Sequence, residues 1–328
     1  MKPSLLPFLR CPSCATALTL DTTDAGPEIT AGTLTCESGA HRHPIVGGVP
    51  RFVSPDNYAA SFGLQWNHFR RSQLDSHTGV PITRERFFAS TRWRPEDLAG
   101  RRVLDLGCGS GRFAEVALST GAHVVAVDYS QAVEACYENL GAHPHLDVVQ
   151  GTVYELPFAP DSFDFVYCLG VLQHTPDPEA AFRALTRQVA PGGRIAIDLY
   201  PRFWRNLIWP KYWIRPFTAR IAPARLFGLV QRLVPALLPI SRVLGRVPRL
   251  GRQLRFAIPV ANYEGIYPLT DTQLREWAVL DTFDMWSPIH DHPQTAATIA
   301  RWLSDAGLVE REVYRVGHLI GTGKRPRR

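Results

Sequence analysis

The sequence has no run of apolar residues that reaches the roughly 18 a membrane-spanning helix needs. The opening residues do not read as a signal peptide, because their apolar stretch is short and Pro3 and Pro7 break it. Cysteine is sparse, six in 328 residues, and does not form a secreted disulfide set. Three cysteines lie near the N-terminus at metal-ligand spacing, and Cys108, Cys136 and Cys168 are scattered through an apolar pattern. A reducing, cytoplasmic compartment is the simpler expectation. Acidic residues are missing between Pro201 and Tyr263, where twelve Lys or Arg stand. The remainder holds 24 basic against 30 acidic residues, so the net charge of +6 is a property of one segment. That excludes a nucleic-acid signature spread over the whole chain.

With 45% hydrophobic and 20% charged residues, the composition suits a buried core plus attachments. Five regions separate. Residues 1–53 carry the clustered cysteines, and 54–100 are aromatic, polar and Arg-rich. Residues 101–200 alternate strand and helix patterns, 201–262 form the basic, Pro-punctuated segment, and 263–328 return to mixed character. Strands are expected at Arg102–Leu106, His123–Asp128, Asp147–Gln150, Phe163–Leu169 and Arg194–Leu199, with a helix near Asp177–Val189. An amphipathic helix over Gln294–Ala306 should lead into strands at Val309–Val316 and His318–Gly323. Such alternation predicts an α/β fold, a mostly parallel sheet wound with helices on both faces.

The first strand runs into Gly107, Gly109 and Gly111, which allow backbone angles and close ligand approach that side chains forbid. The turn lies at the carboxyl end of a parallel strand, where such folds bind ligands. Its G-x-G-x-G pattern differs from the dinucleotide G-x-G-x-x-G and follows an acid, Asp105, which favours a ligand with a cationic amino acid end. Asp128 ends the second strand at about the 20-residue offset where a carboxylate meets ribose hydroxyls.

VLDLGCGSGRF, VVAVDYS, the Gly151–Phe158 segment, FDFVYCLGVLQHTPDP and APGGRIAIDLY occur in the order and spacing of class I methyltransferases. The set resembles most the branch that includes ubiquinone and menaquinone biosynthesis enzymes. The resemblance implies a Rossmann-like, seven-stranded doubly wound core and S-adenosyl-L-methionine as cofactor. It implies that Asp105 and the loop Gly107, Cys108, Gly109 and Gly111 hold the methionine moiety. Asp128 would hold the ribose and Tyr129 would lie along the adenine. Thr152 and Val153 would border the adenine edge, and Leu169 and Gly170 would line the methionine pocket. Relatives usually carry Asp at the position of Thr152, which directs the adenine contact toward the backbone of Val153 or Tyr154.

The sulfonium of such a cofactor already activates the methyl group, so the protein's main task is alignment. Where the acceptor must lose a proton, His174 in the loop after the fourth strand is the first candidate base. His290, within the cluster His290, Asp291 and His292, is the second, as a substrate-orienting group or half of a dyad; a structural turn is the plainer alternative. Tyr263 and Tyr267 are further pocket candidates.

Cys11 and Cys14, then Cys36 and His41, can supply four tetrahedral ligands for a structural Zn2+. The frame resembles the small zinc-ribbon-like domains fused to bacterial methyltransferases, although the second pair is one residue longer and His43 competes with His41. The stretch Asn57–Arg71 resembles the segment that precedes the core in such fusions, and implies a helical lid with Gln65 and Trp66 as contacts. In 201–262, Trp204, Trp209, Trp213 and Phe217 alternate with Arg205, Lys211, Arg215 and Arg220. This predicts a helical insertion that acts as a substrate cap packed on the core, with peripheral membrane or lipid contact and polyanion binding as alternatives.

The expected activity is methyl transfer to a small-molecule acceptor, amphiphilic or lipid-linked, in biosynthetic or specialised metabolism. An RNA methyltransferase with a zinc-ribbon recognition domain is one alternative. It is disfavoured by the negative charge outside the insertion and by C168-L-G-V where an extruded-base motif would stand. A non-catalytic cofactor-binding scaffold is the other.

Overall fold

A computed structural model describes residues 1–54, 56–203 and 209–327. Trp204 and Arg205 of the basic segment lie outside the described residues. The chain builds two sheets. The first is antiparallel, in the order β1 (Leu18–Asp21), β2 (Ala31–Cys36), β3 (Arg42–Val46) and β4 (Val49–Pro50).

The second has seven strands. They are β5 (Arg102–Leu106), β6 (His123–Asp128), β7 (Leu146–Gln150), β8 (Phe163–Cys168), β9 (Val189–Leu199), β10 (Val309–Val316) and β11 (His318–Lys324). Their spatial order is β10-β11-β9-β8-β5-β6-β7. β5 through β9 are parallel, while β11 pairs antiparallel with β9 and β10 with β11. The central strands read as near-continuous apolar runs because helices cover both faces. On one face Phe182 stacks on Trp302, with ring centroids 5.9 Å apart. On the other, Phe87, Phe113, Val116, Val133 and Cys136 pack against β5, β6 and β8. This is the doubly wound α/β fold, and its strand order reverses at β5, so a crevice opens at the carboxyl ends of β5 and β8.

The fifth parallel strand starts earlier than its sequence pattern suggests, at Val189 rather than Arg194. Val189 already pairs with Phe163, and the register then shifts before Phe165. Pro191, Gly192 and Gly193 fill that irregularity and mask the strand pattern.

The small sheet shares the core of the large one. Leu5, Leu9, Leu34 and Ile45 are buried with Val149, Phe158 and Phe163. Backbone bridges join Leu9 to Phe158 and Arg51 to Gln150.

The basic segment is helical over Pro210–Thr218, Pro223–Gly245 and Gly251–Leu254. One face of the long helix (Leu226, Phe227, Val230, Val234 and Leu238) is buried against Ala278, Phe283 and Trp286 of the helix Asp271–Trp286. That last helix therefore packs as part of the cap, which reaches beyond the 262 boundary expected from sequence. Pro223–Gly245 is long and apolar enough to cross a membrane by length and composition, with mean hydropathy 1.3. Its buried face instead suits an amphipathic element packed on the protein.

Arg215 ties two helices of the cap to each other and to the loop that follows them. It forms a buried ion pair with Asp291 and donates to the Met285 carbonyl at 2.8 and 3.0 Å. Within the cluster around His290, Asp291 thus holds a structural position, in keeping with the plainer of its two expected roles. The His290 ring stands edge-on to Tyr58 at 5.2 Å and is not among the residues lining the cavity described below.

Candidate functional site

A cavity of about 1200 Å³ lies at the carboxyl ends of the parallel strands, between the glycine turn and the cap. Its first wall is backbone. Gly107 has φ +77°, and a Cβ there would stand 2.3 Å from Val171. Gly109 has φ +54°, with Trp66 lying where a Cβ would crowd it at 3.1 Å. Asp128 ends β6 half-buried and organises this turn. Its Oδ2 accepts from the Gly109 N–H at 3.0 Å, and its Oδ1 accepts from the Ser130 N–H and hydroxyl at 2.8 and 2.7 Å. Burial raises the Asp128 carboxyl, and these bonds pull it back down. A carboxylate has about four acceptor positions, so three bonds leave one, on Oδ2.

Gly107, Cys108, Gly109, Asp128, Tyr129, Val153, Leu169 and Gly170 all line this cavity. Three other residues expected there do not. Asp105 is buried behind the turn, with one carboxylate oxygen unpaired. Burial pushes its carboxyl up to about 7, against the pull of the Tyr167 hydroxyl. Gly111 opens the following helix, where a Cβ would meet Leu140 and Cys136 at 2.8 and 3.0 Å. Thr152 caps a short 3-10 turn, its hydroxyl accepting from the Tyr154 N–H at 3.4 Å, which leaves Val153 at the cavity wall.

The second wall is made of side chains. Tyr58, Phe62, Gln65 and Trp66, from the helix Ala60–His68 and the turn before it, cover the glycine turn. Tyr58 lies against Tyr129, with ring centroids 4.9 Å apart. Gln65 is fully buried and donates to Asp284 at 3.4 Å. His174 is buried, and its Nδ1 meets the His290 carbonyl at 2.9 Å. A carbonyl only accepts, so Nδ1 carries the proton, and Nε2, which has no partner, keeps its lone pair. Burial lowers the His174 pKa, against the fields of Asp284 and Asp291, and keeps the ring neutral.

Sequence reasoning missed a buried charged group at the carboxyl end of β9. Asp198 accepts from the Gly170 N–H, pairs with Arg86 at 2.8 Å, and lies 3.2 Å from His318. Burial alone would raise the Asp198 carboxyl, but His318 and the Arg86 guanidinium hold it well below the usual carboxylate range. Asp198 was visible as an acid at the carboxyl end of a strand; Arg86 and His318 carried no local signal. Opposite, Tyr263 donates to Asp281, whose carboxyl burial pushes up to about 6.

At the N-terminus, ligand atoms of Cys11, Cys14, Cys36 and His41 all lie within 4.8 Å of one another. Four tetrahedral ligands at bonds of about 2.0–2.3 Å stand roughly 3.3–3.8 Å apart, so the group would draw in slightly around a central ion. The His41 N–H donates to Cys36 Sγ at 3.2 Å, and Ser38 lowers the Cys36 thiol to about 6. His43 lies against Phe52, at 4.7 Å between rings, with its Nε2 3.7 Å from Cys11 Sγ.

Residues 104–197 match the methyltransferase domain family. The chain is 34% identical over 118 residues to a ubiquinone biosynthesis O-methyltransferase of Aeromonas salmonicida, covering 32% of this chain and 45% of that one. It is 34% identical over 150 residues to the protein of the same name in Xanthomonas euvesicatoria pv. vesicatoria, covering 45% and 60%. The chain thus spans about half the length of these curated relatives. An O-methyltransferase family protein from Burkholderia thailandensis superposes with a TM-score of 0.46 at 14% identity, over 84% of this chain and 65% of that one. The central part of the chain is thus a methyltransferase domain, and the relatives it resembles are named as ubiquinone biosynthesis O-methyltransferases.

Proposed function

We propose that this chain transfers a methyl group from S-adenosylmethionine to a small-molecule acceptor held between the glycine turn and the cap. The observation that carries this reading is a cavity of about 1200 Å³ with two unlike walls. A pocket for one small ligand is about 300–1,000 Å³, so there is room for an acceptor beside a cofactor. The glycine turn, the free acceptor position on Asp128, Tyr129 and Val153 suit the cofactor. When bound, S-adenosylmethionine supplies an electrophilic methyl group on sulfonium. The aromatic wall orients the acceptor and excludes water. His174 Nε2, neutral and unpaired, takes the acceptor's proton. The relatives' names support an oxygen nucleophile.

Two parts of the reading stand apart. The Cys11, Cys14, Cys36 and His41 group suits a structural Zn2+, since four protein ligands leave no open position. The cap suits peripheral contact with an anionic bilayer, because Trp213, Phe217, Val243 and Leu250 are exposed among arginines.

The test is calorimetric titration with S-adenosylmethionine and S-adenosylhomocysteine, followed by metal analysis of the same sample. Micromolar binding of both supports the reading. Absence of binding removes it, and binding without methyl transfer to any acceptor would leave the scaffold alternative. One zinc per chain is expected.

A further inference from the structure

Lys211, at the start of the helix Pro210–Thr218, is only 5% exposed and lines the cavity. Its Nζ sits over three rings, 4.5 Å from Trp209, 4.7 Å from Tyr212 and 4.9 Å from Tyr200. Ring faces stabilise an ammonium but offer its three N–H donors no oxygen. Among the described residues Lys211 has no ion pair and no hydrogen-bond acceptor, and residues 201–263 contain no acid that could supply one. The fields of Asp291 and Asp284 reach it, but Asp291 pairs with Arg215 through one oxygen, Asp284 accepts from Gln65, and neither bonds the Lys211 ammonium. A nearly buried cation in a cavity wall, caged by rings and with no directly bonded counter-charge, is a recognition group for an anion.

Tyr200 fixes where that counter-charge would lie. One of its neighbours is Lys211 and another is His174, edge-on with ring centroids 5.4 Å apart. One tyrosine ring therefore separates the ammonium from the candidate base. Tyr212, Phe256, Tyr263 and Tyr267 add flat apolar surface to the same cavity.

We propose that Lys211 anchors an anionic oxygen group, carboxylate or phosphate, on an aromatic acceptor whose reacting hydroxyl lies about one ring's width away, at His174. This rests on the methyltransferase reading and specifies its substrate class. Lys211 acts as a specificity-determining residue. The anion displaces no protein partner and makes charge-assisted bonds to donors that are otherwise unused.

The test uses the full chain, with and without saturating S-adenosylhomocysteine, and three probes of one shape: benzoate, phenyl phosphate and neutral benzamide. Tryptophan fluorescence and ligand-observed NMR read binding. At least one anion should bind about tenfold or more tighter than benzamide, and the stronger of the two identifies the group. Lys211→Met and Lys211→Gln should both abolish that preference, and Lys211→Arg should retain part of it. S-adenosylhomocysteine affinity should stay unchanged in all three, which also certifies their folding. Equal binding of the three probes, no binding of any, or a preference that survives in Lys211→Met overturns the proposal. So does a loss of S-adenosylhomocysteine affinity in Lys211→Met and Lys211→Gln that matches their loss of anion binding, because Lys211 would then serve the cofactor's own carboxylate. If the wild-type chain keeps the Lys211-dependent preference but never binds S-adenosylhomocysteine, the methyltransferase reading fails and the anion site stands.

Discussion

The two walls of the cavity are built by opposite means. The glycine-turn wall is made of backbone and a few short side chains from one stretch of chain, with Asp128 holding the turn by three hydrogen bonds. The cap wall is made of long side chains drawn from distant places: Tyr58, Arg86, Lys211, Tyr263, Asp281 and His318. The first depends on shapes only glycine permits, so it tolerates almost no change. The second depends on side-chain chemistry, so it can be re-specified residue by residue. A cofactor shared by a large class suits the first construction, and an acceptor particular to one enzyme suits the second.

The comparison breaks most visibly at Gly107. Gly107→Ala places a methyl group against Val171 on a left-handed backbone, and should cost about 3 kcal/mol and weaken S-adenosylhomocysteine more than about a hundredfold by calorimetry. Asp128→Ala should weaken the same ligand roughly 30-fold, about 2 kcal/mol, by removing the ribose acceptor and freeing the Gly109 N–H. Unchanged affinity would show that the cofactor map is wrong.

Asp105 tests the support behind the turn. Its carboxyl stands near 7 when folded, against about 4 unfolded, so the folded state holds the extra proton between those values. Stability is therefore lost as pH rises through that window. Asp105→Asn should raise the melting temperature of the cofactor-free protein at about pH 8 by clearly more than at about pH 5. A rise of equal size at both would assign the effect to packing. On the cap side, Tyr263→Phe should change S-adenosylhomocysteine affinity less than about twofold while raising the acceptor's KM, since it removes only the donor to Asp281.

The same contrast explains what could be read from the sequence. Strands β5, β6, β10 and β11 fall within a residue of their expected bounds, because apolar runs and glycines mark them locally. Eight of the eleven expected cofactor residues line the cavity; Asp105, Gly111 and Thr152 instead support it. Thr152 was a marked departure, and capping a 3-10 turn accounts for its hydroxyl. The cap wall was far less legible. Arg86 matters because Asp198 lies 112 residues away in sequence yet 2.8 Å away in space. His290 looked like a site residue because histidines cluster there, but the cluster anchors Arg215 and gives His174 a carbonyl.

The hairpin of β10 and β11 has one further consequence. It is made after the helices of the cap, and it carries His318 back to Asp198 and Tyr200. Every residue of the glycine-turn wall has been synthesised by then, the last of them more than a hundred codons earlier. At about 5–20 residues per second, the nascent chain spends several seconds with its cofactor half made and its acceptor half still open. Cofactor present during translation would thus meet half of its enzyme before the helices beyond Pro210 exist to close over it.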